Sequence, residues 1–558
     1  MAFSFAESLP LPTGLPPLPE SIHNLIDSLP PLPPAIQTFL SSLTSIINSL
    51  PLPLSTLIPL LLITLYILSA LIAHRRLSSF PGPPTTSFSY LWLILTLYSG
   101  QMGKKFTLAN KKYGDTVRVG PNDLLTCDPS LIRRSSAARS RYTRSEWYKL
   151  SRLDPYDASM LNTLDGKLHD ELKSKTAPGY SGRDSGGKTE QVVDKVLGTV
   201  IRVIRERYTD PGNETRTKKG KFLDLASMSQ YFTLDSIAEV AFGLEWGLVE
   251  AEADKFGTIK MLDDIAPAAV VVSGVPYLRA VMGSDWVLKL VGPGEKDKKG
   301  VGRMMSMAKK VVAERFAPGA EDRNDMLGSF VRHGLTKRQC ETEALIQIVA
   351  GSDTTATAIR ATLLFIMTTP RVYNALREEI DKAVGSAKVS NPITNAEALE
   401  LPYLQGVILE GLRLHPPFTG IPFKVVPPEG DTVDGKFIPG GTRVAPSIWA
   451  TGRHKGVFGE DADVFRPERW VPKKGDAEES EQLAEMKRVA EMVFGYGRWG
   501  CAGKMIAFME LNKVFFELLR HFDFQLVYPY EPWHSRNHNL FLQDKMWVSV
   551  TDRATGSL

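Results

Sequence analysis

The apolar positions of the chain fall into three regimes. Over residues 36–50, Ile36, Phe39, Leu40, Leu43, Ile46, Ile47 and Leu50 recur at 3, 4 and 7 spacing. That spacing predicts an amphipathic helix with an uncharged Gln/Ser/Thr face. LSTLIPLLLITLYILSALIA, residues 54–73, has no polar stripe and no charge. Twenty such residues match the thickness of a bilayer core, with Pro59 near the start, where a kink is tolerated. From about residue 85 onward the pattern becomes mostly 3.6-periodic. KTEQVVDKVLGTVIRVIRERY (188–208) and ALIQIVAGSDTTATAIRATLLFIM (344–367) predict long helices, while TVRVG (116–120) and RVAPSI (443–448) alternate like short strands.

Two further stretches stand apart. GPGEKDKKGVGR (292–303) is basic and Gly-rich and predicts a surface loop. APAAVVVSGVPYLRAVMG (266–283) is unusually apolar. It predicts either a core helix or a second membrane-dipping surface, and the core helix is the preferred reading.

Charge sharpens the picture at the N-terminus. Residues 1–74 hold no Lys or Arg, Pro and Leu recur as SLPLP, SLPPLPP and SLPLPL, and HRR at 74–76 follows the apolar run. A cleaved signal peptide does not fit: no basic segment leads, and about fifty residues precede the apolar run. Positive charge on the C-terminal side alone places the body in the cytosol and the tail in the lumen. FPGPP (80–84) is a stiff hinge between the two. The expected organisation is a Pro/Leu-rich tail (1–53), a transmembrane anchor (54–73), a basic and Pro-rich hinge (74–84) and a body (85–558).

The whole chain has 558 residues, 43% of them apolar, and a formal net charge of +4. That supports a sizeable core and lacks the concentrated basic footprint of a nucleic-acid binder. Three cysteines, Cys127, Cys340 and Cys501, are odd in number and widely spaced, which is no disulfide framework and fits a reducing compartment.

Cys501 lies in FGYGRWGCAG (494–503), among Gly495, Gly497, Gly500 and Gly503. It could be a buried structural cysteine, a nucleophile or a metal ligand. A nucleophile needs a base, and no His lies near the loop. A metal ligand fits best: glycines let backbone approach a large flat cofactor, and N–H groups can tune the sulfur. KMIAFMELNKVFFELLRHF follows as a helix, which puts the thiol at an N-terminus that lowers its pKa.

This loop resembles the haem-thiolate loop of the cytochrome P-450 superfamily, F-x-x-G-x-x-x-C-x-G, through Phe494, Gly497, Cys501 and Gly503. Where the family commonly carries Arg, this chain has Trp499, with Arg498 one step earlier. The resemblance makes Cys501 the axial ligand of haem iron, and Arg498 a partner of a haem propionate. AGSDTT (350–355) is similar to the oxygen-activating helix of the superfamily. Thr354 would bond a carbonyl one turn back, near Ala350, and open the helix for dioxygen and water, with Asp353 feeding protons.

Glu410 and Arg413 in LEGLRLHPP, with Arg469 in FRPERW, match the structural Glu-Arg-Arg cluster. Apolar flanks predict that the pair is buried and must be satisfied. LHDELKSKTAPGYS (168–181) resembles the helix that reaches a propionate, with His169 and Lys173 one turn apart in place of the usual Trp and Arg/His. Lys424 in PFKVVPPEG matches a further basic propionate partner.

The resemblance covers roughly 80–558. GPNDLLTCDPS, YTRSEWY, APGYSG, DMLGSFVRHGLT and FLQDKMWVSVT narrow it to fungal membrane P-450s of the pisatin-demethylase-like type. It implies a mainly α fold with small β-sheets behind one transmembrane helix. It also implies a single-pass membrane protein of the endoplasmic reticulum, in the family's usual manner, that oxidises small lipophilic secondary metabolites. Electrons would come from NADPH through a separate flavoprotein reductase, since the chain shows no dinucleotide fingerprint and no flavin domain. A haem-thiolate isomerase or dehydratase and a non-catalytic haem-binding membrane protein are the alternatives; the intact AGSDTT and Glu-Arg-Arg residues argue against both. Phe418, Thr419, Ile421, Phe423, Ile346, Val349, Ala350 and Leu540 are the expected pocket wall, which implies an apolar ligand.

Overall fold

The computed structural model describes residues 54–553 except 155, 210–221, 295, 298–299 and 472–476. The tail (1–53), with its expected helix over 36–50, lies outside the described residues. The chain divides into a unit ending at Leu71 and a unit from Ile72 to Leu558. Helix α1, Leu54–Arg76, is long and apolar enough to cross a membrane, and its large side chains from Ile58 to Leu71 are exposed.

The second unit is mostly helical with small sheets, as expected. The hinge at 80–84 is no free linker. Leu77 and Phe80 are buried, and Arg118 N donates to Pro81 O at 2.9 Å. The guanidinium of Arg118, itself fully buried, donates to the carbonyls of Ala73 (2.8 Å), His74 (3.2 Å) and Pro121 (2.8 Å). A buried cation needs such partners, and here they fasten residues 73–82 to the first strand.

Five short strands build the largest sheet: β1 (Thr116–Gly120), β2 (Asp123–Thr126), β3 (Thr143–Arg144), β4 (Lys424–Val425) and β5 (Arg443–Pro446), in the order β1-β2-β5-β4-β3. The alternation at 116–120 and 443–448 marks β1 and β5, though the second strand stops at Pro446 and a helix starts at Ile448.

Six further helices matter for the site: α2 (Leu91–Tyr98), α3 (Gly166–Tyr180), α4 (Leu225–Phe242), α5 (Thr258–Gly274), α6 (Pro276–Met282) and α7 (Asp285–Val291). The 266–283 stretch does not form the core helix expected of it. α5 and α6 meet at a bend of 113°, at Val275–Pro276, and only part of the stretch is buried. Tyr277, Val281 and Met282 on α6, with Trp286 and Leu290 on α7, present an exposed apolar face. The predicted loop at 292–303 is shorter than expected, because helix resumes at Gly300.

The centre of the unit is α8, Lys337–Thr368. A capping box starts it: Thr336 Oγ1 accepts from Gln339 N, and Gln339 Oε1 accepts from Thr336 N at 2.9 Å. Pro370 follows its last turn. At 32 residues it runs for roughly 48 Å. It packs on α4, on α9 (Pro402–Leu414) and on α10 (Lys504–His521), the helix that follows the cysteine loop. The chief apolar core lies along these contacts, with Leu345, Ile359, Leu363, Leu511, Phe515 and Phe516 almost wholly buried.

Candidate functional site

The cysteine loop is two tight turns, Glu491–Phe494 and Gly497–Trp499, ahead of α10. Gly495 and Gly497 have φ of +76° and +58°, a region an L side chain resists. A Cβ on Gly497 would also stand 2.5 Å from Ser136 O. Glycine therefore answers both a conformational and a packing demand there. Cys501 N donates to Phe494 O at 2.7 Å and closes the loop. The Phe494 ring lies 5.3 Å from that of Phe508 on α10.

Cys501 borders a cleft of about 240 Å³ whose wall includes Phe494, Tyr496, Gly497, Gly500 and Lys504. The side chain is exposed on that side, while protein walls the sulfur closely on the others. That confinement raises the thiol pKa; the Gly503 and Lys504 N–H groups and the Lys173 cation pull it back toward thiolate. Cys127 and Cys340 are buried. Burial pushes the Cys340 thiol up to about 12 and raises that of Cys127.

Three cations and one imidazole gather around the Trp499 ring. Arg144 lies 4.1 Å from its centroid, Arg498 5.0 Å and Lys424 5.8 Å, and the His169 ring is 4.4 Å away. Their partners differ. Arg498 is already paired with Asp170 (2.8 and 2.9 Å) and donates to Gly166 O at 2.6 Å. Lys173 Nζ donates to Arg498 O (2.7 Å) and Gly500 O (3.3 Å), so it ties α3 to the backbone of the loop.

His169 Nδ1 lies 3.0 Å from Asp170 Oδ1. A carboxylate there selects the Nδ1–H tautomer and leaves Nε2 as an acceptor in the neutral ring. The expectation that His169 donates to an anion therefore requires the imidazolium, and burial pushes its pKa down to about 4.

Arg144 was not singled out from the sequence, although it stands in the YTRSEWY stretch that carries part of the resemblance. Strands β3 and β4 pair so that Arg144 faces Lys424. Both are buried. Arg144 Nη1 donates to Met160 O (3.0 Å) and Thr163 O (2.9 Å), and its Nε has no partner in the protein. Lys424 Nζ donates to Ser135 O (3.2 Å) and Ser136 Oγ. Neither meets a carboxylate among the described residues. Like charges directly opposite across a strand pair are unfavourable, and burial makes them more so. Burial accordingly pulls Arg144 down to about 10 and Lys424 to about 7. The cluster calls for an anion, and the Cys501 thiol stands beside it. This donor set fits an iron porphyrin with its two carboxylates.

On α8, Thr354 Oγ1 donates to Ala350 O at 2.7 Å, the bond expected from the sequence. The expected opening is not seen as a break, because α8 is helical without interruption from Lys337 to Thr368. Asp353 is buried, and its Oδ2 has no partner. Burial pushes its carboxyl up to about 6; Arg360 pulls the other way and Asp263 adds to the rise. Of the expected pocket wall, Ala350 is exposed, and Val349, Phe418 and Leu540 are half-buried. Ile346 is almost buried, and Thr419 bonds Asn537. Ile421 and Phe423 are fully buried in a second core with Leu93, Leu97 and Val117, so they are core and not wall.

Glu410 is fully buried and accepts from Arg413 Nε and Nη2 (2.7 Å each), Arg469 Nε (3.0 Å), Arg466 N (2.9 Å) and Trp470 Nε1 (2.9 Å). The two guanidiniums reach on to backbone. Arg413 Nη1 donates to Gly452 O and Ala462 O (2.5 Å each), and Arg469 Nη1 to Phe458 O (3.0 Å). Segment 452–470 is thus wound around one satisfied ion cluster.

A sequence profile described as Cytochrome P450 matches residues 81–546. Among similar proteins, "Cytochrome P450 monooxygenase ABA1" of Pyricularia oryzae is 47% identical over 492 residues, 87% of this chain and 94% of that protein. "Cytochrome P450 monooxygenase aba1" of Botryotinia fuckeliana is 42% identical over 477 residues, 85% of this chain and 92% of its own length. "Cytochrome P450 monooxygenase gsfF" of Penicillium aethiopicum is 28% identical over 493 residues, 86% and 94% respectively.

Proposed function

This chain belongs to the cytochrome P450 family and is a haem-dependent monooxygenase, and from that membership we propose that it oxidises a small lipophilic molecule in fungal-type secondary metabolism. Electrons come from NADPH through a separate flavoprotein reductase. The observation that carries this reading is the pairing on α8 of a hydroxyl, Thr354, with a buried, unpartnered carboxyl, Asp353. Haem iron, when bound, supplies the activation of dioxygen that lets one oxygen atom enter a C–H bond.

The residues of the chain do the rest. Cys501 would hold the haem iron through its sulfur, in a loop closed by the Cys501 N–Phe494 O bond and braced by the Lys173 bonds to Arg498 O and Gly500 O. Arg144, Lys424 and Lys173 would hold the porphyrin carboxylates; His169 would add a donor only as the imidazolium, below about pH 4. Arg498 acts one step away: by engaging Asp170 it fixes the start of α3 against the loop. Phe494 and Gly497 shape the loop. Thr354 hands protons to the oxygen side of the site, and Asp353 resupplies it. With its carboxyl near 6, Asp353 can hold or release a proton close to neutral pH.

Thr354→Ala tests the assignment. Ala is the better helix former, so folding and haem uptake should stay near wild type. NADPH should still be consumed, with more of it ending as peroxide and less as product. Asp353→Asn should slow turnover more than it uncouples. An unchanged product-to-NADPH ratio in Thr354→Ala, in a working assay, would remove this helix from oxygen activation.

For topology we place the body on the cytosolic face of the endoplasmic reticulum, anchored by α1, with residues 1–53 in the lumen. A glycosylation acceptor engineered into the tail should then be modified and one in the body should not. The reverse pattern would invert the orientation.

A further inference from the structure

Arg360 on α8 is a buried cation without a counter-ion beside it. It is 1% exposed. Its Nε donates to Ala226 O at 3.1 Å and its Nη2 to Gln230 Oε1, both on α4. Both partners are neutral, and among the described residues no carboxylate oxygen lies within 4.0 Å of the guanidinium. Other buried arginines differ: Arg413 pairs with Glu410 at 2.7 Å, and Arg443 pairs with Asp123. A charge taken out of water without a partner is costly. Asp353 has the complementary fault. It is 5% exposed, and its Oδ2 is unpartnered.

The two share α8, seven residues apart. At 3.6 residues per turn they lie within roughly 20° of one another around the helix and roughly 10 Å apart along it. At that separation, with an effective dielectric near 20, one charge changes the proton affinity of the other by roughly tenfold. Arginine keeps its charge throughout the working pH range. The charged groups acting on Asp353 are Arg360 and Asp263, the latter half-buried on α5. Those acting on Arg360 are Asp353 first, then Asp224 at the start of α4, Asp263, and Asp544 at the end of the strand Leu540–Asp544. One further acid, Glu510 on α10, bonds Thr355; burial pushes it up to about 8, which leaves it mostly uncharged at neutral pH.

We propose that Arg360 is a positioning residue for proton supply on α8: its fixed charge, held two turns from Asp353 by Ala226 and Gln230, governs how readily that carboxyl gives up and regains its proton. The inference rests on the oxygen-activation reading of Asp353 and Thr354 above. When the Thr354 hydroxyl passes on its proton, it takes one from Asp353. Asp353 is left as a buried carboxylate, which the Arg360 charge stabilises, and a proton from solvent restores the acid. The spacing matters. A guanidinium in direct contact would hold Asp353 ionised, and burial with no cation near would hold it neutral; in either case it could not cycle. A cation two turns away avoids both.

The test uses the full-length holoprotein in detergent and reads Asp353 without turnover. The infrared carboxyl band that disappears in Asp353→Asn is titrated against pH. Arg360→Gln keeps donors for Ala226 and Gln230 but loses the charge; it should raise the midpoint by about one pH unit, a tenfold change. Arg360→Lys keeps the charge and should stay within about twofold of wild type. Asp263→Asn removes the acid that opposes Arg360 and should lower the midpoint. The pH dependence of turnover should move in the same direction in each variant. If Arg360→Gln does not fold by circular dichroism, Asp263→Asn decides. An unmoved midpoint in Arg360→Gln, a rise in Arg360→Lys as large as in Arg360→Gln, or no fall in Asp263→Asn would overturn the proposal. Failure of the oxygen-activation reading would show separately, as an unchanged product-to-NADPH ratio in Thr354→Ala.

Discussion

Cys501→Ser should yield a folded protein whose ferrous–CO complex lacks the red-shifted Soret band and which forms no measurable product. A serine hydroxyl is neutral and hard at neutral pH, whereas the thiolate is a soft, charged ligand. No other cysteine can take over. Cys127 and Cys340 are buried, with their thiols pushed far from ionisation; burial raises the Cys501 thiol too, but two backbone N–H groups and a lysine pull it back toward thiolate, and it opens on a cleft. Folding should survive, because the loop is held by backbone and by Lys173, not by the sulfur. Circular dichroism of the variant checks that. A variant that keeps the band would place the ligand elsewhere and sink the site as described.

Glu410→Ala should be the most destabilising substitution among those considered, by about 3–5 kcal/mol, because it leaves the buried Arg413 guanidinium without a counter-charge and Arg469 with Asp461 alone, at 3.3 Å. The five donors that converge on Glu410 also link α9 to segment 452–470. That segment shares an apolar cluster with the helix Ala477–Ala490, through Phe458, Trp470, Leu483, Met486 and Val489. The helix leads directly into the cysteine loop. Loss of the cluster should therefore loosen the loop as well, and haem content should fall together with the denaturant midpoint. Glu410→Gln, which keeps the shape and loses the charge, should lie between the two. Arg371→Ala is the control: Arg371 pairs with Glu468 at an exposed site, and such a pair contributes about 0–1 kcal/mol. If Glu410→Ala costs no more than Arg371→Ala, the cluster does not brace the loop.

The features readable along the chain are those that depend on contiguous residues. The uncharged run of α1 shows itself by composition, and the body of α8 by its periodicity over 344–367, although the helix begins earlier, at Lys337. The Thr354 bond to Ala350 joins residues one turn apart and is legible in the sequence for that reason. Glycines spaced around Cys501 announce a loop that must adopt positive φ. In each case the physical cause operates within a few residues, so the pattern carries it.

What the tertiary structure alone decided depends on which groups are buried together from distant parts of the chain. Arg144 and Lys424 read as unrelated basic residues until β3 and β4 set them opposite one another. Their demand for an anion exists only because both are dehydrated there. Arg498, next to the cysteine in sequence, is drawn off by Asp170 on α3. Ile421 and Phe423 look like pocket wall, yet residues from the α2 and β1 region enclose them. The apolar stretch 266–283 is bent at Val275–Pro276, where no proline-tolerant core helix forms, and its later face stays exposed.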